Sequence, residues 1–109
     1  MVIDFPNMEE AAMPHFKGGE GTMHAKAHAD EINRIMRIRM VPGSSVGEHT
    51  HDTSSEIIFA LSGEAVAICD GKEEVVKAGM CHYCPKGHTH SMKNIGTEDF
   101  IGYAVVPQQ

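Results

Sequence analysis

The chain has 109 residues, and its 9 Lys and Arg against 15 Asp and Glu leave a formal charge of −6 with histidine neutral. That length makes one domain, the 41% hydrophobic and 22% charged residues exclude a disordered chain, and the acidic balance speaks against a groove for nucleic acid. Apolar runs such as Ile57 to Leu61 are too short to cross a bilayer, and Met1–Glu10 lacks the basic start and apolar stretch of a secretory signal.

Three cysteines cannot all pair within the chain, which suits a reducing compartment, so a soluble cytoplasmic domain without membrane contact is expected. Eleven glycines imply many turns, and eight histidines are many for this length, histidine being the commonest metal ligand.

From the N-terminus, Asn7 to Met13 reads as one or two helical turns, with Asn7 as cap and Glu9 and Glu10 in the first turn, ended by Pro14 and Gly18-Gly19. Thr22 to Ala29 alternates strictly, His24, Lys26 and His28 on a solvated face and alanines on the other. Ile32 to Val41 is a second strand, stopped by Pro42-Gly43. Strands follow at Glu56–Ser62, Glu64–Cys69 and Glu73–Lys77, the last two flanking the hairpin signal Asp70-Gly71. Met80–Cys84, His88–Lys93 and Phe100–Val106 complete the set. Short strands with turn signals every eight to twelve residues point to an all-β sandwich or barrel. Residues 1–30 are expected to add a helical turn and extra strand to the domain whose barrel spans 31–109.

His49 and His51 lie two apart, so in a strand both leave the same face. If the polar turn Asp52-Thr53-Ser54-Ser55 makes a hairpin, Glu56 lies across from them and presents a carboxylate to the same point. Two imidazoles and a carboxylate are a facial set for a divalent transition metal. Alone the pattern is short, and paired surface histidines also arise by chance.

A second block strengthens it. Gly43, His49, His51, Glu56 and Gly63 match G-x5-H-x-H-x4-E-x6-G, and Gly79, Pro85, Gly87, His90 and Asn94 match G-x5-P-x-G-x2-H-x3-N, with fifteen residues between the blocks. In these positions, which span about half the chain, the sequence resembles the cupin family. The resemblance implies a double-stranded β-helix or jelly-roll barrel. It also implies one divalent transition metal (Fe, Mn, Ni, Zn or Cu) held by His49, His51, Glu56 and His90. Four protein ligands leave open positions for a small molecule. The glycines and Pro85 then serve strand corners, and Asn94 caps a turn.

Several residues invite other readings. Cys81 and Cys84, spaced C-x2-C, fall on opposite strand faces, which argues against joint ligation and for a wall role. His88 points the same way as His90 if the strand is regular, and is then a candidate catalytic acid, base or substrate contact. Arg34, Arg37 and Arg39 cannot all face one way, and one of them could reach the cavity to meet an anion. The eight methionines fill core gaps.

The favoured function is a metal-dependent enzyme acting on a small polar or carboxylate-bearing molecule, of dioxygenase, decarboxylase or isomerase type. The alternative is a binding or sensing module of the same fold. A structural barrel with a vestigial site ranks third. A homodimer is expected, covering edge strands, with residues 1–30 best placed to reach across.

Overall fold

The computed structural model describes all 109 residues. Ten strands run β1 (Ala11–Pro14), β2 (Thr22–Ala29), β3 (Asn33–Met40), β4 (Ser45–Thr50), β5 (Glu56–Ser62), β6 (Glu64–Cys69), β7 (Lys72–Lys77), β8 (Cys81–Cys84), β9 (Thr89–Asn94) and β10 (Phe100–Pro107). They form a six-stranded sheet ordered β1-β2-β3-β10-β5-β8 and a four-stranded sheet ordered β4-β9-β6-β7. Every pairing is antiparallel.

Alternation explains how the sheets close on one another. On β3, Met36, Ile38 and Met40 point inward and are buried, while the residues between them are half exposed. On β2 the inward face carries Met23 and Ala25, and on β6 it carries Ala65 and Ala67. Small side chains on these strands against methionines and Phe100 fill one core between the sheets. Asn94, fully buried, donates from Nδ2 to the Met40 and Glu98 carbonyls (both 2.8 Å) and accepts from Gly96 N–H (2.9 Å), fixing the turn into β10.

The N-terminus departs from expectation. A 3-10 turn covers Phe5–Asn7, and Ala11–Pro14 is a strand rather than the end of a helix. A helix of seven residues is marginal by itself. Pairing Ala11–Pro14 with Thr22–Ala25 instead covers the edge of β2. Arg39 locks this arrangement, binding Glu10 through two nitrogens (3.0 and 2.7 Å) and Asp99 through a third (3.2 Å).

β4, which the turn signals alone do not mark, is bent by a bulge. Val46 pairs with Met92 but His49 with His90, so three steps on β4 answer two on β9. The extra residue lets both Val46 and His49 face inward. Gly47, in the bulge, lies so close to the Phe16–Gly18 turn that a Cβ there would sit 1.9 Å from the Lys17 carbonyl oxygen. Only glycine fits.

Candidate metal centre

The segment after β4 does not fold back as a hairpin. β4 pairs with β9, whereas β5 pairs with β10 and β8, so Asp52–Ser55 crosses from one sheet to the other. His51 N–H bonds to the His88 carbonyl (3.0 Å) and Ser55 N–H to that of Pro107 (3.3 Å), tying the crossing segment to both sides. Glu56 therefore meets the histidines from the opposite sheet, not from a neighbouring strand.

Four of the five residues marked by the sequence converge. His90 Nε2 lies 3.0 Å from His51 Nε2, 3.1 Å from His49 Nε2 and 3.0 Å from Glu56 Oε1, and His51 Nε2 lies 3.3 Å from the same carboxylate oxygen. Donors about 2.1 Å from a common ion and at right angles to one another sit roughly 3 Å apart, so the spacing fits a transition metal.

The far side of each ring explains why these atoms face one another. His49 Nδ1–H donates to the Gly47 carbonyl at 2.8 Å, which leaves its Nε2 as a bare lone pair. His82 is buried, and its Nδ1–H donates to the Glu74 carboxylate at 2.5 Å. Burial holds the His82 pKa below its usual value despite Glu74, so the ring is neutral and its Nε2 accepts. His90 Nδ1–H therefore donates to it at 2.9 Å, and His90 Nε2 is a second lone pair aimed at the first. His51 Nδ1 is held by the Ser54 hydroxyl at 2.9 Å.

Burial also lowers the His49 pKa. For Glu56 burial acts upward, but in the ion-free cluster hydrogen bonds and charge from His51 and His90, which need a proton on Nε2, outweigh it and hold the carboxyl at about 2. An ionised carboxylate and facing lone pairs in a nearly dry centre call for a cation or, without one, for protons shared among them.

The cluster lines a cavity of about 340 Å³. Its walls are largely apolar, with Met23, Met36, Met40 and Met92 prominent, while Lys17, Arg34 and Asp52 add charge. Arg34 shares the inward parity of Met36 and Ile38 but lies exposed at the outer end of β3. Arg39, by contrast, is occupied by Glu10 and Asp99.

His88 is not brought to the cluster. It precedes β9 instead of lying within it, is exposed, and its Nδ1 bonds to the Asp70 carboxylate on the surface. The cysteines follow their alternation, Cys81 exposed and Cys84 buried. His82 and Glu74, which hydrogen-bond behind the cluster, are the residues that sequence reading missed. Their one signal was parity, since Glu74 shares the inward face of β7 with buried Val76, and His82 that of β8 with Cys84.

The cupin domain family matches residues 36–106. An oxalate-binding protein of Thermotoga maritima is 37% identical over 112 residues, covering 97% of this chain and 93% of its own length. A crystal structure described as a predicted oxalate decarboxylase from Thermotoga maritima is similar with a TM-score of 0.94 at 30% identity, over 100% of both chains. The cupin domain of Schizosaccharomyces pombe Cnp3 is similar in fold at 14% identity, with a TM-score of 0.81 over 99% of this chain and 74% of that one.

Proposed function

This chain belongs to the cupin family, and from that premise we propose that it holds one divalent transition metal through His49, His51, Glu56 and His90 and uses it to bind a small dicarboxylate of the oxalate type. The observation that carries the reading is the set of facing Nε2 lone pairs and one ionised carboxylate at the floor of a cavity walled by methionines. A bound ion would supply a Lewis-acidic anchor for carboxylate oxygens. The oxalate-binding relative supports the ligand class.

The chain's own residues have separate tasks. The methionine walls exclude water and so strengthen charge interactions at the floor. Arg34 offers a planar guanidinium to an anion entering from outside. Glu74 and His82 fix the tautomer and the orientation of the His90 ring.

Calorimetry of the manganese-loaded protein tests this. Oxalate should bind, a neutral diol of similar size should not, and Arg34→Met should weaken oxalate by about 10–100-fold while leaving metal affinity unchanged. Equal oxalate binding by the His49→Ala, His51→Ala double variant would refute the reading. Turnover of the bound acid is a second reading, favoured by Asp52, the one acid besides Glu56 on the cavity wall. Carbon-13 oxalate followed by NMR distinguishes it, since cleavage releases formate and carbon dioxide.

We also propose a homodimer through the outer face of the six-stranded sheet, where Phe59, Leu61, Tyr83 and Tyr103 are exposed on adjacent strands. Light scattering should give twice the chain mass, and Phe59→Glu with Leu61→Glu should halve it.

A further inference from the structure

A second group of donor atoms lies at the end of the barrel, outside the cavity lining. Cys69 ends β6, Asp70 begins the β6–β7 turn, and His88 stands in the loop between β8 and β9. The Cys69 sulfur, an Asp70 carboxylate oxygen and a His88 ring nitrogen all lie within 4.8 Å of one another. Backbone bonds hold the two loops together, Asp70 N–H to the Thr89 carbonyl at 2.9 Å and Thr89 N–H to Asp70 Oδ1 at 3.1 Å. The buried Cys84 thiol stands beside the loop that carries His88, its sulfur 3.6 Å from the His88 carbonyl oxygen.

A surface ion pair accounts for Asp70 and His88, and a wall role accounts for each thiol singly. Neither accounts for a free thiol, an imidazole and a carboxylate gathered around one point from the β6–β7 turn and the β8–β9 loop. We propose that Cys69, Asp70 and His88 form a second metal site, suited to zinc. One sulfur, one nitrogen and one oxygen make a three-ligand set of the kind zinc takes where water fills the fourth position. This donor set is softer than the three imidazoles and carboxylate of the inner cluster, so the two sites differ in the chemistry of their bonds. Exposed Asp70 and His88 provide the way in, and the buried Cys84 closes the inner side.

Occupation has a structural consequence. Cys69 stands opposite His90 in the β6–β9 register, and His88 lies two residues before His90. An ion there clamps the β6–β7 turn to the β8–β9 loop and braces the strand that carries His90. The site does not depend on the inner cluster being filled.

Cobalt(II) titration of the reduced protein tests the proposal, because thiolate ligation to cobalt gives a near-ultraviolet charge-transfer band that imidazole and carboxylate ligation do not. The band is expected in the unaltered protein and in the His49→Ala, His51→Ala double variant, so failure of the inner site leaves it readable. Cys69→Ser should abolish it, and His88→Ala should weaken the cobalt that gives it by about tenfold or more. The His88 side chain is exposed, so that variant keeps the test available if Cys69→Ser does not fold. Absence of the band at saturating cobalt, or its persistence in Cys69→Ser, would overturn the proposal.

Discussion

The four-stranded sheet and the segment leaving it carry His49, His51 and His90, whereas the six-stranded sheet carries Glu56, His82 and Arg34. Neither half is a site by itself. The first presents imidazoles whose Nδ1 atoms are already bonded, which for His49 and His90 leaves Nε2 lone pairs facing inward. The second presents the carboxylate that those lone pairs and a cation need, and the ring that orients one of them. An ion at the junction would bridge the sheets and so would stabilise the closed barrel.

The site is lost most completely if the imidazole half is removed. His49→Ala with His51→Ala should reduce affinity for manganese or cobalt at the inner cluster by roughly a hundredfold to ten-thousandfold, taking each ligand to be worth at least what an outer-shell partner is. Equilibrium dialysis with metal analysis measures this. Removing the ion instead should separate the halves energetically. At an ion concentration one hundred times Kd the bound state gains about 2.7 kcal/mol, about 10–20 °C in melting temperature for a domain of this size. A chelator should abolish that gain, and the effect should shrink in the double variant.

Glu74→Gln touches neither half's ligands. Without the carboxylate, His82 is free to present either tautomer to His90, and ion affinity should fall by about 10–100-fold. The ion-free melting temperature should hardly move, since the Glu74 side chain is 45% exposed. Equal loss of stability with and without metal would reduce Glu74 to a packing residue.

What the sequence made legible, and what it did not, follows from the same division. Strands β2, β5 and β6 could be bounded from alternation and turn residues, because those signals are local. The four clustered residues were legible from motif spacing. Which sheet each belongs to was not, since alternation assigns a face but names no partner strand. Hence Asp52–Ser55 read as a hairpin turn where the chain crosses between sheets. His88 was placed by extending β9 one residue too far. The Glu74–His82–His90 chain joins β7, β8 and β9 across the gap between sheet edges, and no local pattern encodes such a contact.

The smallest expected effect lies outside the cluster. Glu10 binds Arg39, and this hydrogen bond, opposed by slight desolvation, lowers its pKa below the ordinary 4.5. A carboxyl with a depressed folded-state pKa stabilises the fold fully above its unfolded value, and loses that contribution as pH falls through the folded one. Glu10→Gln should therefore cost about 0.5–1 kcal/mol at neutral pH. The difference from the parent should fade in thermal melts taken progressively below pH 4.5.

The central claim is that one ion sits where the two sheets meet. Anomalous scattering at the metal edge, from crystals grown with manganese, tests it most directly. The account predicts a peak bounded by the Nε2 atoms of His49, His51 and His90 and the carboxylate of Glu56. A featureless map at that point, in crystals that hold manganese elsewhere or not at all, would contradict it.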